Sequence, residues 1–224
     1  MRSDADEVTA VKFQFTDMIK TIVFDLGGVI FSQNYEKAVS HFEEIGVSDA
    51  RRLLDPFAQA GFFGDLENGR ITADEYRREL SKLAGRELTD EDCKYAWTGY
   101  VDHLPRRNLE TLRRLRREGY RLVLLSNTNP FMMMWAMSPG FDGEGHSLRD
   151  YFDTCYLSYE CRLMKPDPAI FQLMLDREGI RPETAIFIDD SERNVETARG
   201  LGIQTICPKD NADWTGDLFQ KLGL

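Results

Sequence analysis

The 224-residue sequence predicts an α/β fold, a doubly wound parallel sheet with an inserted helical cap. Three observations carry that expectation. Short apolar runs of strand type recur at TIVF, RLVLLS, TCYLS, AIFID and IQTIC. Helical stretches separate the later runs, and such alternation makes a parallel sheet covered on both faces. The first run stands apart, because the pattern from Asn34 to about Leu104 is helical.

In chain order, residues 1–17 carry scattered charge without a period and read as a poorly ordered or loosely docked extension. The core then comprises residues 18–33 and 105–224, and the cap residues 34–104. Within the cap, NYEKAVSHFEEIG and DARRLLDPFAQAG read as amphipathic helices. Thr72 with Glu75 forms a capping box for a helix that stops before Gly85, and Thr89 caps another running toward Gly99. GFFGDLENGR reads as a loop between cap helices, with Phe62, Phe63 and Arg70 either facing the cleft or packing the cap. After Pro105 come the basic helix RRNLETLRRLRREG, the strand RLVLLS and a turn-rich stretch holding Pro130, Pro139 and three glycines. A strand around TCYLS, the KPDP turn and a helix from Pro168 to Glu178 follow. The chain closes with AIFID, a helix from Ser191 to Leu201, IQTIC and a last helix.

Composition excludes several functions. A net charge of −10 disfavours nucleic acid or an anionic membrane as partner. The arginine-rich helix, interspersed with Glu110 and Glu118, reads as a solvated face. No apolar run reaches membrane-spanning length, and the acidic amino terminus lacks a secretory pattern. Cys93, Cys155, Cys161 and Cys207 show no ligand spacing, as expected of reduced thiols in a cytoplasmic protein. FMMMWAMSPGF reads as methionine core filling, with a cap–core contact or a partner surface as alternatives.

Polar groups follow the apolar strands where a core would not hold them: Asp25, then Ser126 and Asn127, then Lys165, then Asp189 and Asp190. Carboxyl ends of parallel strands share one edge, so these residues can meet in one cleft. The chemistry that suits them is phosphoryl transfer. Asp25 can attack phosphorus if Mg²⁺, bound by hard oxygen ligands, offsets the negative charge. Asp190 supplies a second carboxylate ligand, and Asp189 acts through water or on neighbouring backbone. Ser126, Asn127 and Lys165 bind the phosphate oxygens, and Lys165 also pairs with the carboxylates.

These motifs, FDLGGV, LLSNTN, MKPDPAIF and FIDDSERNVETARGLG, resemble in order those of the haloacid dehalogenase (HAD) superfamily, in the subgroup whose helical cap follows the first strand. The resemblance runs from about Ile19 to the end and implies a Rossmann-like core and a Mg²⁺-dependent phosphatase of a small phosphorylated metabolite, such as a sugar phosphate. It implies Asp25 as nucleophile, a metal site made by Asp25, the Gly27 carbonyl, Asp190 and Asp189, and Asn194 as loop support.

One departure stands out. Phosphatases of this family usually carry an aspartate two residues after the nucleophile as general acid, and here that residue is Gly27. General acid catalysis contributes about 10²–10⁴-fold, so the sequence predicts a preference for good leaving groups, sugar 1-phosphates over 6-phosphates. His41, His103 and His146 are replacement donors by residue type only, with surface or packing roles expected. Two other readings compete. A dehalogenase would attack carbon with Asp25 and need no metal, against which the Asp189–Asp190 pair argues. A catalytically impaired relative would bind a phosphorylated ligand without turnover.

Overall fold

A computed structural model describes residues 19–55, 59–209 and 211–224, so the expected extension at 1–17 lies outside the described residues. Strands β1 (Thr21–Phe24), β4 (Arg121–Ser126), β5 (Thr154–Leu157), β6 (Ala185–Ile188) and β7 (Gln204–Ile206) form one sheet in the order β5-β4-β1-β6-β7. Every pairing in it is parallel. Chain order reverses at β1, where β4 lies on one side and β6 on the other. In an open parallel sheet that switch point opens a crevice at the carboxyl ends.

Between Ser32 and His103 the chain leaves the sheet. A short antiparallel ribbon, β2 (Ser32–Gln33) with β3 (Val101–His103), closes the neck of this excursion. The expected block was all helical; strands of two and three residues carry too little alternation to register in sequence. Helix α1 (Tyr35–Glu44) starts at Asn34, whose side chain accepts from the Lys37 N–H. Of the second expected cap helix the described residues form α2 (Ala50–Leu53), which ends at extended Leu54; residues 56–58 of that stretch lie outside the described residues. GFFGDLENGR is not a loop, because Gly61–Glu67 forms α3. α4 (Ala73–Ala84) and α5 (Asp90–Thr98) both open on complete capping boxes, and α4 ends at left-handed Gly85. Their apolar faces meet in an aromatic cluster of Phe42, Phe63, Tyr76 and Trp97.

The chain re-enters the sheet layer through α6 (Arg106–Arg117), which buries Leu109, Leu112 and Leu115. Its arginines pair outward with Glu110, Glu118, Glu144 and Asp153, the expected solvated face. Within the stretch expected to be turns, Pro130–Ala136 is α7, opened by Asn129, whose side chain accepts from the Phe131 and Met132 N–H groups. Met132 and Met133 are buried, and α7 packs on cap helix α5, so the methionines both fill the core and join it to the cap. The remaining helices are α8 (Ser158–Cys161), α9 (Pro168–Glu178), α10 (Glu192–Gly200) and α11 (Thr215–Leu222). Among the described residues no helix is long and apolar enough to cross a membrane, and all four cysteines are free.

Candidate active site

β1 is buried throughout and ends at Asp25, whose N–H bonds to the Ile188 carbonyl at 2.9 Å. The turn that follows is braced from below. Asn108 donates to the Val29 and Ile30 carbonyls at 2.9 and 3.0 Å, and the Trp214 indole donates to Val29 at 2.7 Å. Gly28 has φ +70°, and a Cβ there would lie 2.2 Å from an Asp190 carboxylate oxygen, so the close approach of the two loops requires glycine. Gly27 does not adopt positive φ; a Cβ there would lie 2.0 Å from Gln33 Nε2. The Gln33 side chain therefore occupies the space that an aspartate at position 27 would use.

Asp25, Gly27, Ser126, Asn127, Lys165 and Asp190 line one cleft, together with Asn194. Ser126 and Asn127 end β4 as expected. Lys165 does not follow β5 directly; α8 intervenes and the lysine arrives on the next loop. The Asn127 side chain is committed to that loop. Its Nδ2 donates to the Lys165 carbonyl at 2.8 Å and its Oδ1 accepts from the Lys165 N–H at 2.9 Å. Asn127 thus positions Lys165, which leaves its second Nδ2 hydrogen for a phosphate.

Lys165 lies between Asp25 Oδ1 at 2.9 Å and Asp189 Oδ2 at 2.6 Å. Asp189 is fully buried and also accepts from the Ser191 N–H at 2.8 Å and, on its two carboxylate oxygens, from Asn194 Nδ2 at 3.0 and 3.1 Å. Its carboxylate holds Lys165 and the β6–α10 loop. Asp190 points at the cleft. Burial pushes the Asp25 carboxyl up to about 7, with Lys165 opposing and Asp189 and Asp190 adding to the rise. Burial and the neighbouring Asp189 push Asp190 up to about 6. Burial would lower the Lys165 ammonium, but the two carboxylates outweigh it and hold the group charged.

Carboxylate oxygens of Asp25, Asp189 and Asp190 all lie within 4.8 Å of one another. One lysine cannot balance three such groups. A divalent cation taking hard oxygen ligands fits this set in charge and in chemistry, and Mg²⁺ is the ion that such a set combines with substrate phosphate.

The cap contributes what the sequence did not reveal. Phe63 is buried in the aromatic cluster, Phe62 stacks beside it, and Arg70 pairs with Asp65 at 3.2 Å; none lines the cleft. Gln59, Glu67, Trp97 and Tyr100 line it instead. The three histidines are elsewhere: His41 stacks on Tyr95, His103 pairs with Asp102 and His146 with Asp142.

Comparison with known proteins agrees with this geometry. The haloacid dehalogenase-like hydrolase family profile matches residues 19–202. A D-ribitol-5-phosphate phosphatase of Bacteroides thetaiotaomicron is 45% identical over 201 residues, covering 90% of this chain and 97% of that protein. Among solved structures, a predicted HAD-like family hydrolase from Porphyromonas gingivalis superposes with TM-score 0.85 at 41% identity, covering 92% of this chain and 98% of its own. A HAD family enzyme from Bacteroides thetaiotaomicron, solved in complex with magnesium and inorganic phosphate, superposes with TM-score 0.79 at 36% identity over 90% of this chain and 99% of its own. The chain belongs to the haloacid dehalogenase-like hydrolase family.

Proposed function

We propose that this protein is a Mg²⁺-dependent phosphatase that hydrolyses the monoester of a small phosphorylated metabolite, of the sugar or alditol phosphate class, through an aspartyl phosphate on Asp25. The observation that carries the reading is the clustering of Asp25, Asp189 and Asp190 at the sheet's switch point, with Lys165 paired to the first two. Asp25 attacks phosphorus, and the bond to the leaving oxygen breaks as its bond to phosphorus forms. Ser126 and the charged end of Lys165 face the phosphoryl oxygens and stabilise charge that spreads over them. Asp189, Asn127 and Asn194 hold Lys165 and the β6–α10 loop in place. Asp25, Asp190 and the Gly27 carbonyl would hold Mg²⁺, which when bound neutralises the anionic substrate and lets a carboxylate approach it. A dehalogenase attacking carbon would need no cation, and three clustered carboxylates argue against it.

The substrate class follows the relative named for D-ribitol 5-phosphate. Such an ester leaves as a primary alkoxide. That is opposite to the preference that Gly27 alone predicts, so a proton donor is needed elsewhere in the cleft.

The test is phosphate release from a panel of alditol phosphates, sugar phosphates and p-nitrophenyl phosphate, with Mg²⁺ and with EDTA. Turnover that needs Mg²⁺ and vanishes in Asp25→Asn is expected. Turnover undiminished in EDTA, or retained in Asp25→Asn, overturns the reading.

A further inference from the structure

We infer that Glu67, carried into the cleft by the cap, is the general acid and base that replaces the missing carboxyl at position 27. The inference rests on the phosphatase reading above and names the proton donor that it lacks.

The geometry comes from the end of α3. Glu67 is the last residue of that helix, is 8% exposed, and lines the same cavity as Asp25, Ser126 and Lys165. Three contacts fix it there. Ser158 at the start of α8 donates to the Glu67 carbonyl at 2.6 Å, and the Thr128 N–H donates to the same serine at 2.9 Å. Asn129 hydrogen-bonds the Glu67 side chain, while its own Oδ1 caps α7. The turn after α3 then runs directly against α8: a Cβ on Gly69 would lie 2.1 Å from the Tyr159 carbonyl oxygen. The glutamate is thus held against the core by its backbone.

Its environment keeps a proton on it. Among the described residues no basic side chain pairs with Glu67. Burial pushes its carboxyl up to about 8, Asn129 opposing and the Asp25 charge adding. Tyr76 and Tyr100 are the other titratable groups that interact with it, and burial raises both, so neither competes as an acid. A buried carboxyl that is neutral near pH 7 and shares a cavity with the nucleophile can give up its proton in the step that needs one.

The step balances without a further reactant. As an Asp25 oxygen bonds to phosphorus and the ester bond breaks, the leaving oxygen takes the Glu67 proton and departs as the alcohol. Glu67, now a carboxylate, takes a proton from the water that attacks the aspartyl phosphate. Inorganic phosphate leaves, and both carboxyl groups return to their starting states.

The experiment compares wild-type protein and Glu67→Gln, with Mg²⁺, on a primary alkyl phosphate and on p-nitrophenyl phosphate. Glutamine preserves the shape and can still bond Asn129. The expected result is a fall in kcat/KM, which reads the step that expels the alcohol, of about 10²–10⁴-fold on the alkyl ester and little change in kcat/KM on the aryl ester, whose leaving group needs no proton. An equal loss of kcat/KM on both esters, or no loss on either, overturns the assignment while leaving the phosphatase reading intact. If wild-type protein turns over neither ester, the phosphatase reading falls and this inference with it. A second measurement needs no variant: in wild-type protein the dependence of kcat/KM on leaving-group pKa should steepen as pH rises past about 8. A slope that is unchanged across that range also overturns it.

Discussion

Replacing Lys165 by methionine probes the centre of the site. The Lys165 side chain is 1% exposed and that of Asp189 is fully buried, with Nζ 2.6 Å from one Asp189 oxygen and 2.9 Å from Asp25. Methionine keeps the unbranched stem and removes the charge, leaving the Asp25 and Asp189 carboxylates without their cation. Breaking one partner out of a buried ion pair costs about 3–5 kcal/mol. Whole domains are stable by only about 5–15 kcal/mol, so the loss is a large share of the total. With a urea slope of about 2 kcal/mol per molar, the unfolding midpoint should drop by about 1.5–2.5 M at pH 7 in EDTA. The sign of the pH dependence follows from Asp25. Lys165 lowers its carboxyl, so removing the lysine raises it further. The Asp25 share of the variant's penalty therefore builds only above about pH 7, where the wild-type carboxyl ionises, and the loss at pH 7 is that of the buried Lys165–Asp189 pair. Mg²⁺ should return part of the loss, since a cation then meets the same carboxylates. A midpoint within about 0.3 M of wild type in EDTA, at unchanged slope, would refute the claim that Lys165 holds these carboxylates together.

Further expectations concern the metal, position 27 and a cluster remote from the cleft. Asp190→Asn should abolish stabilisation by Mg²⁺ in thermal melts. In EDTA at pH 7 it should melt higher than wild type, because a carboxyl raised to about 6 in the fold costs stability once pH climbs from the unfolded value through that range. Equal Mg²⁺ stabilisation of both proteins would exclude Asp190 as a ligand. Gly27→Asp together with Gln33→Ala should restore alkyl-ester turnover to Glu67→Gln, since the backbone at 27 tolerates a side chain and Gln33 is what fills its space. A triple variant no faster than Glu67→Gln counts against the shared role. Burial would raise the Asp142 carboxyl, but hydrogen bonds from Tyr151, the Glu144 and His146 N–H groups and the His146 ring together hold it well below the usual range. That stability is present above the unfolded pKa and is lost as pH falls through the folded one, so wild type and Asp142→Asn should converge in acid urea melts and separate near pH 7.

The sheet and the four motifs were legible because a buried parallel strand announces itself twice, by its apolar run and by the polar residue that ends it. TIVF with Asp25 and AIFI with Asp189 do both. α9 was legible to the residue, since Asp167 caps it, Pro168 opens it and left-handed Gly179 ends it. α3 and α7 were not. Each has seven residues, α3 holds two glycines and α7 opens on Pro130 inside a run of methionines, so neither gives an apolar period long enough to read. The capping signal of Asn129 ahead of Pro130 was present and could have identified α7.

Misreading α3 concealed the most consequential residue of the cap. Taken as loop, GFFGDLENGR offers Phe62, Phe63 and Arg70 as its conspicuous side chains and Glu67 as one more surface charge. Wound as a helix, it turns Phe63 and Leu66 into the cap's core and Glu67 toward Asp25. Gly27 belongs to the same rearrangement. Its missing side chain leaves a space in the cleft, Gln33 from the neck ribbon fills it, and the carboxyl that the chemistry needs enters from the cap. The nucleophile stays on the sheet, where β1 holds it rigidly. The proton donor moves to the cap, where its position depends on the Ser158 and Asn129 contacts that seat α3 against the core. Proton transfer is thereby tied to cap docking, since an α3 lifted off those contacts would carry Glu67 away from the leaving oxygen while leaving Asp25 where it is.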